Sequence, residues 1–182
     1  MRQRYFHLIS IFLLTAFGAI PPPGLAETAK DDKGTRSNPY EVPVCDSPIA
    51  IDGNITETAW QNALLIDIAY EVQPGENIPA PVRTECLIIH NDKNLYVAFK
   101  AYDPDPSAIR AHYSDRDNLF NDDWVIILLD TFNDERRCLE FFSNPLGIQA
   151  DGIEADNGTD TSWDAIWDCA GRITDWGYAV EM

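Results

Sequence analysis

The side chains best equipped for chemistry in this sequence are carboxylates. Asp and Glu number 30 against 13 Lys and Arg, a formal net charge of −17. Asp122 and Asp123 stand directly before the apolar run of residues 124–129, and Asp130 ends it. A glycosidase needs an acid facing a base or nucleophile across a cleft. Successive residues of an extended chain point to opposite sides, so Asp122 and Asp123 cannot serve one substrate together. Intrinsic glycosidase activity is therefore not expected. Hard divalent cations ask for something else, about six to eight oxygen ligands gathered from loops. Asp103, Asp105, Asp122, Asp151 and Asp156, with Asp123 and Asp160, fall at positions read as turns or loops. Bound calcium is the expectation this raises, although the spacing is not that of an EF-hand. A solvated acidic rim is the competing reading.

Other reactive groupings are sparse. Apart from His7, the histidines are His90 and His112, too few for a histidine-rich zinc site or an obvious triad. The sequence has no Gly-x-Ser-x-Gly, no phosphate loop and no His-Glu-x-x-His. No catalytic site is visible, and whether the chain is an enzyme stays open. Cys45, Cys86, Cys138 and Cys169 lack Cys-x-x-Cys spacing. They could form two disulfides in any of three connectivities, or remain buried thiols.

Aromatic rings offer a different chemistry, the stacking of a sugar's C–H face with nearby amides and carboxylates taking its hydroxyls. Phe120, Trp124, Trp163, Trp167 and Trp176 are the candidates. Phe120, followed by Asn121, Asp122 and Asp123, is the ring expected at the surface. Tryptophan in a β-sandwich more often belongs to the core. Trp163 and Trp167, read as two positions on the same side of one strand, are expected to send at least one ring inward.

The elements that must position these residues are strands. Residues 48–53 read as a short strand entering a turn, and residues 54–63 as a capped short helix carrying Trp60. Residues 84–90 and 95–99 alternate as an antiparallel hairpin around Asn91-Asp92-Lys93-Asn94. Residues 124–129 read as a central strand buried on both faces. Residues 138–143 follow as a strand, then a turn at Asn144-Pro145-Leu146-Gly147, a polar loop over 151–162, and a last hairpin of 163–172 with 178–182. Many short strands with almost no helix predict an all-β fold, an antiparallel β-sandwich of jelly-roll or immunoglobulin-like kind. The pattern runs to Met182 without a closing turn, so the sandwich is expected to be truncated at its C-terminal strands and cut from a longer chain.

The N-terminus reads as a secretory signal over residues 1–26. Arg2 and Arg4 precede an apolar stretch, Pro21-Pro22-Pro23 closes it, and Gly24 and Ala26 are small. The apolar stretch is short against the ~20 residues of a membrane span; a retained anchor is the competing reading. Residues 27–43 read as a flexible linker and 44–182 as one domain. Cleavage would remove two arginines and no acid, leaving 11 basic against 30 acidic residues and a net charge of −19. Such a surface repels nucleic acid. Export, to the periplasm, the outer membrane or the outside, is the expected destination.

Ile49-Ala50-Ile51-Asp52-Gly53 with Trp60, Thr84-Glu85, Asn94-Leu95-Tyr96-Val97-Ala98-Phe99 with Asp103, and Asp122-Asp123-Trp124-Val125 to Leu129-Asp130 together resemble family-9 carbohydrate-binding modules. The subgroup most resembled lies at the N-terminus of large exported proteins with a poorly characterised, β-barrel-like C-terminal region. Arg116-Asp117, Asn144-Pro145-Leu146-Gly147 and Trp163-Asp164-Ala165-Ile166-Trp167 share that likeness, which covers residues 44–182. The resemblance implies a β-sandwich, polysaccharide or oligosaccharide binding in carbohydrate catabolism, and bound calcium. By its implication Phe120 stands where a sugar-stacking tryptophan would be, and Asn144 is a polar sugar contact. Asp123 is a further expected contact, apart from what the resemblance implies. An acidic partner would fall at Ile126 and is missing. The resemblance also implies a downstream domain as partner, through which any membrane contact would pass. Two other expectations stand beside this one. The domain could be a structural cap on an outer-membrane β-barrel that has lost its sugar site. It could also be a haem- or redox-binding sandwich, which two methionines and few histidines disfavour.

Overall fold

The computed structural model describes residues 38–182 except Gln73 and Gly75. The expected signal peptide, residues 1–26, and residues 27–37 of the expected linker lie outside the described residues. In chain order the strands are β1 (Leu64–Asp67), β2 (Tyr70–Glu71), β3 (Ile78–Pro79), β4 (Thr84–His90), β5 (Leu95–Tyr102), β6 (Val125–Leu129), β7 (Arg137–Ser143), β8 (Gln149–Ala155), β9 (Gly158–Asp160), β10 (Ala170–Ile173) and β11 (Gly177–Glu181). Two short 3-10 helices, η1 (Thr58–Asn62) and η2 (Pro106–Ala108), complete the list.

Alternation decides where the strands bury their faces. β4 and β5 pair antiparallel from Thr84 with Ala101 to His90 with Leu95. They sit in a five-stranded sheet of order β1-β4-β5-β11-β10, facing a four-stranded sheet of order β6-β7-β8-β9. Cys86, Ile88, Val97, Phe99, Ala101, Tyr178 and Val180 from the larger sheet meet Val125 and Ile127 of β6, with Phe141 of β7 packed against them. Ile88 and Val180 have no exposed surface. Each such aliphatic side chain contributes about 1.5–3 kcal/mol of burial. The fold is thus all-β, with antiparallel sheets packed as a sandwich.

The larger sheet also has a buried outer face. η1 lays Ala59 and Trp60 over Leu87, Ile89 and Ala98, with Cys45 alongside. The capped helix read at residues 54–63 exists as this 3-10 turn, begun at Glu57, whose side chain does not cap it. Residues 48–51 pair in no sheet, and the turn follows at Asp52 and Gly53. Just before residue 44, Val42 packs on the core and the Pro43 carbonyl accepts the His90 N–H.

Three readings of the elements are corrected. β6 is an edge strand, not a central one. Its run is apolar on both faces because Ile126 packs outward against a small cluster of Leu119, Phe142 and Ala150. Residues 151–162 are not a loop, since β8 and β9 take up most of them; their strand pattern is masked by the inward-facing, buried Asp151. Only the end of 163–172 is a strand, and Trp163 and Trp167 leave the ladder to pack edge-on against Phe141 at 6.0 and 5.4 Å. Among the described residues no helix is long and apolar enough to cross a membrane.

Candidate functional site

Residues 110–124 build the most distinctive surface of the domain. The chain around Arg110 and His112 lies against Asp122 and Asp123. The Asp123 N–H donates to the Arg110 carbonyl at 2.8 Å, and the Arg110 N–H donates to Asp123 Oδ2 at 3.0 Å. The Arg110 guanidinium closes on Asp123 Oδ1 from Nε at 3.2 Å and Nη2 at 2.8 Å. The two adjacent acids do point apart. Asp123 faces outward to this arginine, whereas Asp122 is buried.

Asp122 organises the interior of the site. Its Oδ1 lies 2.6 Å from His112 Nδ1, and its Oδ2 accepts the His112 N–H at 2.9 Å and the Asn144 amide at 2.8 Å. Burial alone would push the Asp122 carboxyl up, but the hydrogen bonds from His112 and Asn144 more than offset this and hold it below the usual range. Facing this carboxylate, Nδ1 is the ring nitrogen that donates. The His112 side chain is 79% exposed, so the rest of the ring faces solvent.

Aromatic rings flank the acids. Phe120 is 49% and Trp124 41% exposed, with ring centroids 6.5 Å apart at 82°. Phe142 supports both from below, 5.2 Å from Phe120 and 5.3 Å from Trp124. The two surface rings are thus seated on the outer face of the smaller sheet rather than on a free loop.

The other expected contacts are placed elsewhere. Asn144 is fully buried. Its amide nitrogen donates to Asp122 and to the His112 carbonyl at 3.0 Å, while its oxygen accepts the Leu146 and Ile148 N–H groups at 2.9 Å each. All four hydrogen-bonding positions of that amide are spent inside the protein, which corrects its reading as a sugar contact. Asp151 is buried too, its Oδ2 shared by the Arg116 guanidinium, the Ala165 N–H and the Trp167 indole. Asp103 and Asp105 are turn caps: Asp103 Oδ1 takes the Asp105 N–H and Asp105 Oδ1 the Ser107 hydroxyl. Asp156 follows β8 at the turn into β9 and lines a separate cavity with Asp130 and Glu154. Among the described residues no three His, Cys, Asp or Glu side chains form a group fit for a metal ion. The acids grouped by sequence as calcium ligands are therefore dispersed, because Asp122 and Asp151 are buried structural acceptors. The four cysteines are unpaired, Cys45 and Cys86 buried, Cys138 and Cys169 partly so.

Arg110 and His112 were not among the residues singled out for the site. Nothing local marks them; only the pairing of 110–112 with 122–123 brings them to the aromatic pair.

The fold and this surface define a class, an all-β domain of two packed antiparallel sheets and a two-stranded ribbon, carrying this aromatic and charged patch. No family model matches the chain, and no curated protein or solved structure is significantly similar to it.

Proposed function

We propose that residues 44–182 are a non-catalytic carbohydrate-binding module, exported and joined to a larger protein that works in carbohydrate catabolism. The observation carrying this reading is the seating of Phe120 and Trp124, two half-exposed rings held at 82° on Phe142 beside the ion pair of Arg110 and Asp123. A pyranose stacks its apolar face on one ring. Its hydroxyls reach Asp123, the Arg110 guanidinium and His112 Nε2, an arrangement of apolar surface with a few convergent polar groups. No covalent chemistry is assigned to the site. The test is affinity electrophoresis in gels containing plant, fungal or bacterial polysaccharides. Retardation in at least one gel, relieved by Phe120→Ala, supports the reading; free migration in all of them defeats it.

A second reading rests on a different surface. Leu65, Ile68, Tyr70, Val72, Ile78 and Val82 are all large, apolar and exposed around β1 to β3. A run of this kind suits a domain that packs against another part of a larger protein, as a cap on an outer-membrane β-barrel would. Light scattering and partner capture with the full-length protein separate this from sugar binding.

A further inference from the structure

Away from the aromatic patch, the outer face of the smaller sheet carries Cys138 and Glu140 on β7 and Glu154 on β8. Glu140 is only 6% exposed, and its Oε2 has no hydrogen-bond partner. A buried polar atom left in this way is costly. The register explains how it arises. Glu140 stands opposite Gly152, and Cys138 stands opposite Glu154, so Glu154 is the diagonal neighbour of Glu140. Glu154 in turn pairs with Thr159 of β9. A Cβ on Gly152 would lie 3.0 Å from Thr159 Cγ2 and 3.1 Å from the Asp160 carbonyl oxygen. β9 therefore comes down over the place where a side chain would stand, and it covers the outer face beside Glu140. β9 is three exposed residues at the sheet edge, the kind of element that opens at little cost.

We propose that Glu140 and Glu154 form a pH-sensitive latch for β9, shut when the two carboxyls share a proton and loosened when both are ionised. In the shut state the Glu140 hydroxyl donates to the Glu154 carboxylate, with Thr159 as a further hydrogen-bonding partner. In the ionised state two carboxylates lie side by side with one of them buried, and repulsion has β9 as its easiest outlet. The groups facing Glu140 do not neutralise it. β6 offers Leu128 opposite and Asp130 at its end, β7 offers Cys138, β8 offers Glu154 and β9 offers the uncharged Thr159. Arg136 and Arg137 line the neighbouring cavity of about 280 Å3, into which Cys138 and Glu154 also face. Burial first, and Glu154 second, push the Glu140 carboxyl up. The sign follows: the latch stays shut while Glu140 holds its proton and opens as pH rises through the raised value of Glu140.

Amide hydrogen exchange followed by NMR across a pH series tests this, with the Glu140 carboxyl carbon monitored in the same samples. After correction for base catalysis, exchange in β9 should quicken by about tenfold or more as Glu140 ionises, while β7 stays protected. Glu140→Gln, which cannot ionise, should abolish the step and keep β9 shut throughout. Glu154→Gln, at an exposed position, should move the step to lower pH by removing the like charge. An unchanged step in Glu140→Gln, an unshifted step in Glu154→Gln, or no step in the native protein would overturn the latch.

Discussion

Glu181, on the outer face of β11, receives the indole N–H of Trp60 at 3.0 Å across 121 residues of sequence. Its other oxygen takes the N–H groups of Asp52 at 3.1 Å and Gly53 at 2.9 Å. One fully buried carboxylate thus ties the opening turn and η1 to a strand in the middle of the larger sheet. This explains why a short segment with one tryptophan can close a sheet face without a true helix.

Removing that carboxylate should be severe. Glu181→Ala strands two buried donors, the Trp60 indole and the Gly53 N–H, with the Asp52 N–H beside them, and is expected to cost about 3–5 kcal/mol. Thermal melting followed by tryptophan fluorescence measures it, and the emission of Trp60 should shift to the red as the outer face loosens. A melting temperature within about 2 °C of the native protein would show that the tie is dispensable.

The glycine at 171 is a second structural requirement. An added Cβ there would meet the Gly147 nitrogen at 2.6 Å and the Pro145 carbonyl oxygen at 2.7 Å, both backbone atoms. Gly171→Ala should lower stability by about 2–4 kcal/mol through displacement of the turn that carries Asn144. Urea unfolding of the variant checks this, and an unchanged midpoint would contradict the close approach.

The acid at the candidate site behaves oppositely to the latch. Because hydrogen bonds from His112 and Asn144 hold the Asp122 carboxyl down, its contribution to stability is present above the ordinary aspartate range and is lost as pH falls through its lowered value. Asp122→Asn should destabilise the protein at pH 7 by about 1–3 kcal/mol and flatten its acid unfolding curve. A variant that unfolds in acid along the native curve would remove Asp122 from the organising role given to it.

Thiol chemistry supplies an independent check on the core. Burial pushes the thiols of Cys86 and Cys169 up to about 12 in each case. At pH 8 the thiolate fraction is then about 1 in 10,000. Iodoacetamide should leave both untouched in the native protein and label both in urea. Rapid labelling of either without denaturant would show that its surroundings open readily.

The sequence made the sandwich legible through its alternation. Residues 84–90 and 95–99 could be read as a strand pair around a turn; β4 matches the first span, β5 extends the second to Tyr102, and β4 is buried on both faces. Legibility failed where a strand's inward position is polar. Asp151 looks like a loop acid until Arg116, Ala165 and Trp167 are seen to share its carboxylate. It failed again at residues 124–129, where an unbroken apolar run marks an edge strand covered on its outer side by Leu119 and Phe142. At the candidate site the exposed ring of Phe120 could be read from the polar residues that follow it, and the opposed directions of Asp122 and Asp123 from their adjacency. The burial of Asn144, and the arrival of Arg110 and His112, depend on contacts between segments that no local spacing encodes.

Isothermal titration with a panel of mono-, oligo- and polysaccharides is the most direct measurement on the proposed function, made on the native protein and on a Phe120→Ala, Trp124→Ala double variant. Heat should be evolved with at least one glycan, and affinity should fall by about tenfold or more per ring lost while the melting temperature stays close to native. No heat with any glycan, or equal affinity in the double variant, would contradict carbohydrate binding at Phe120 and Trp124.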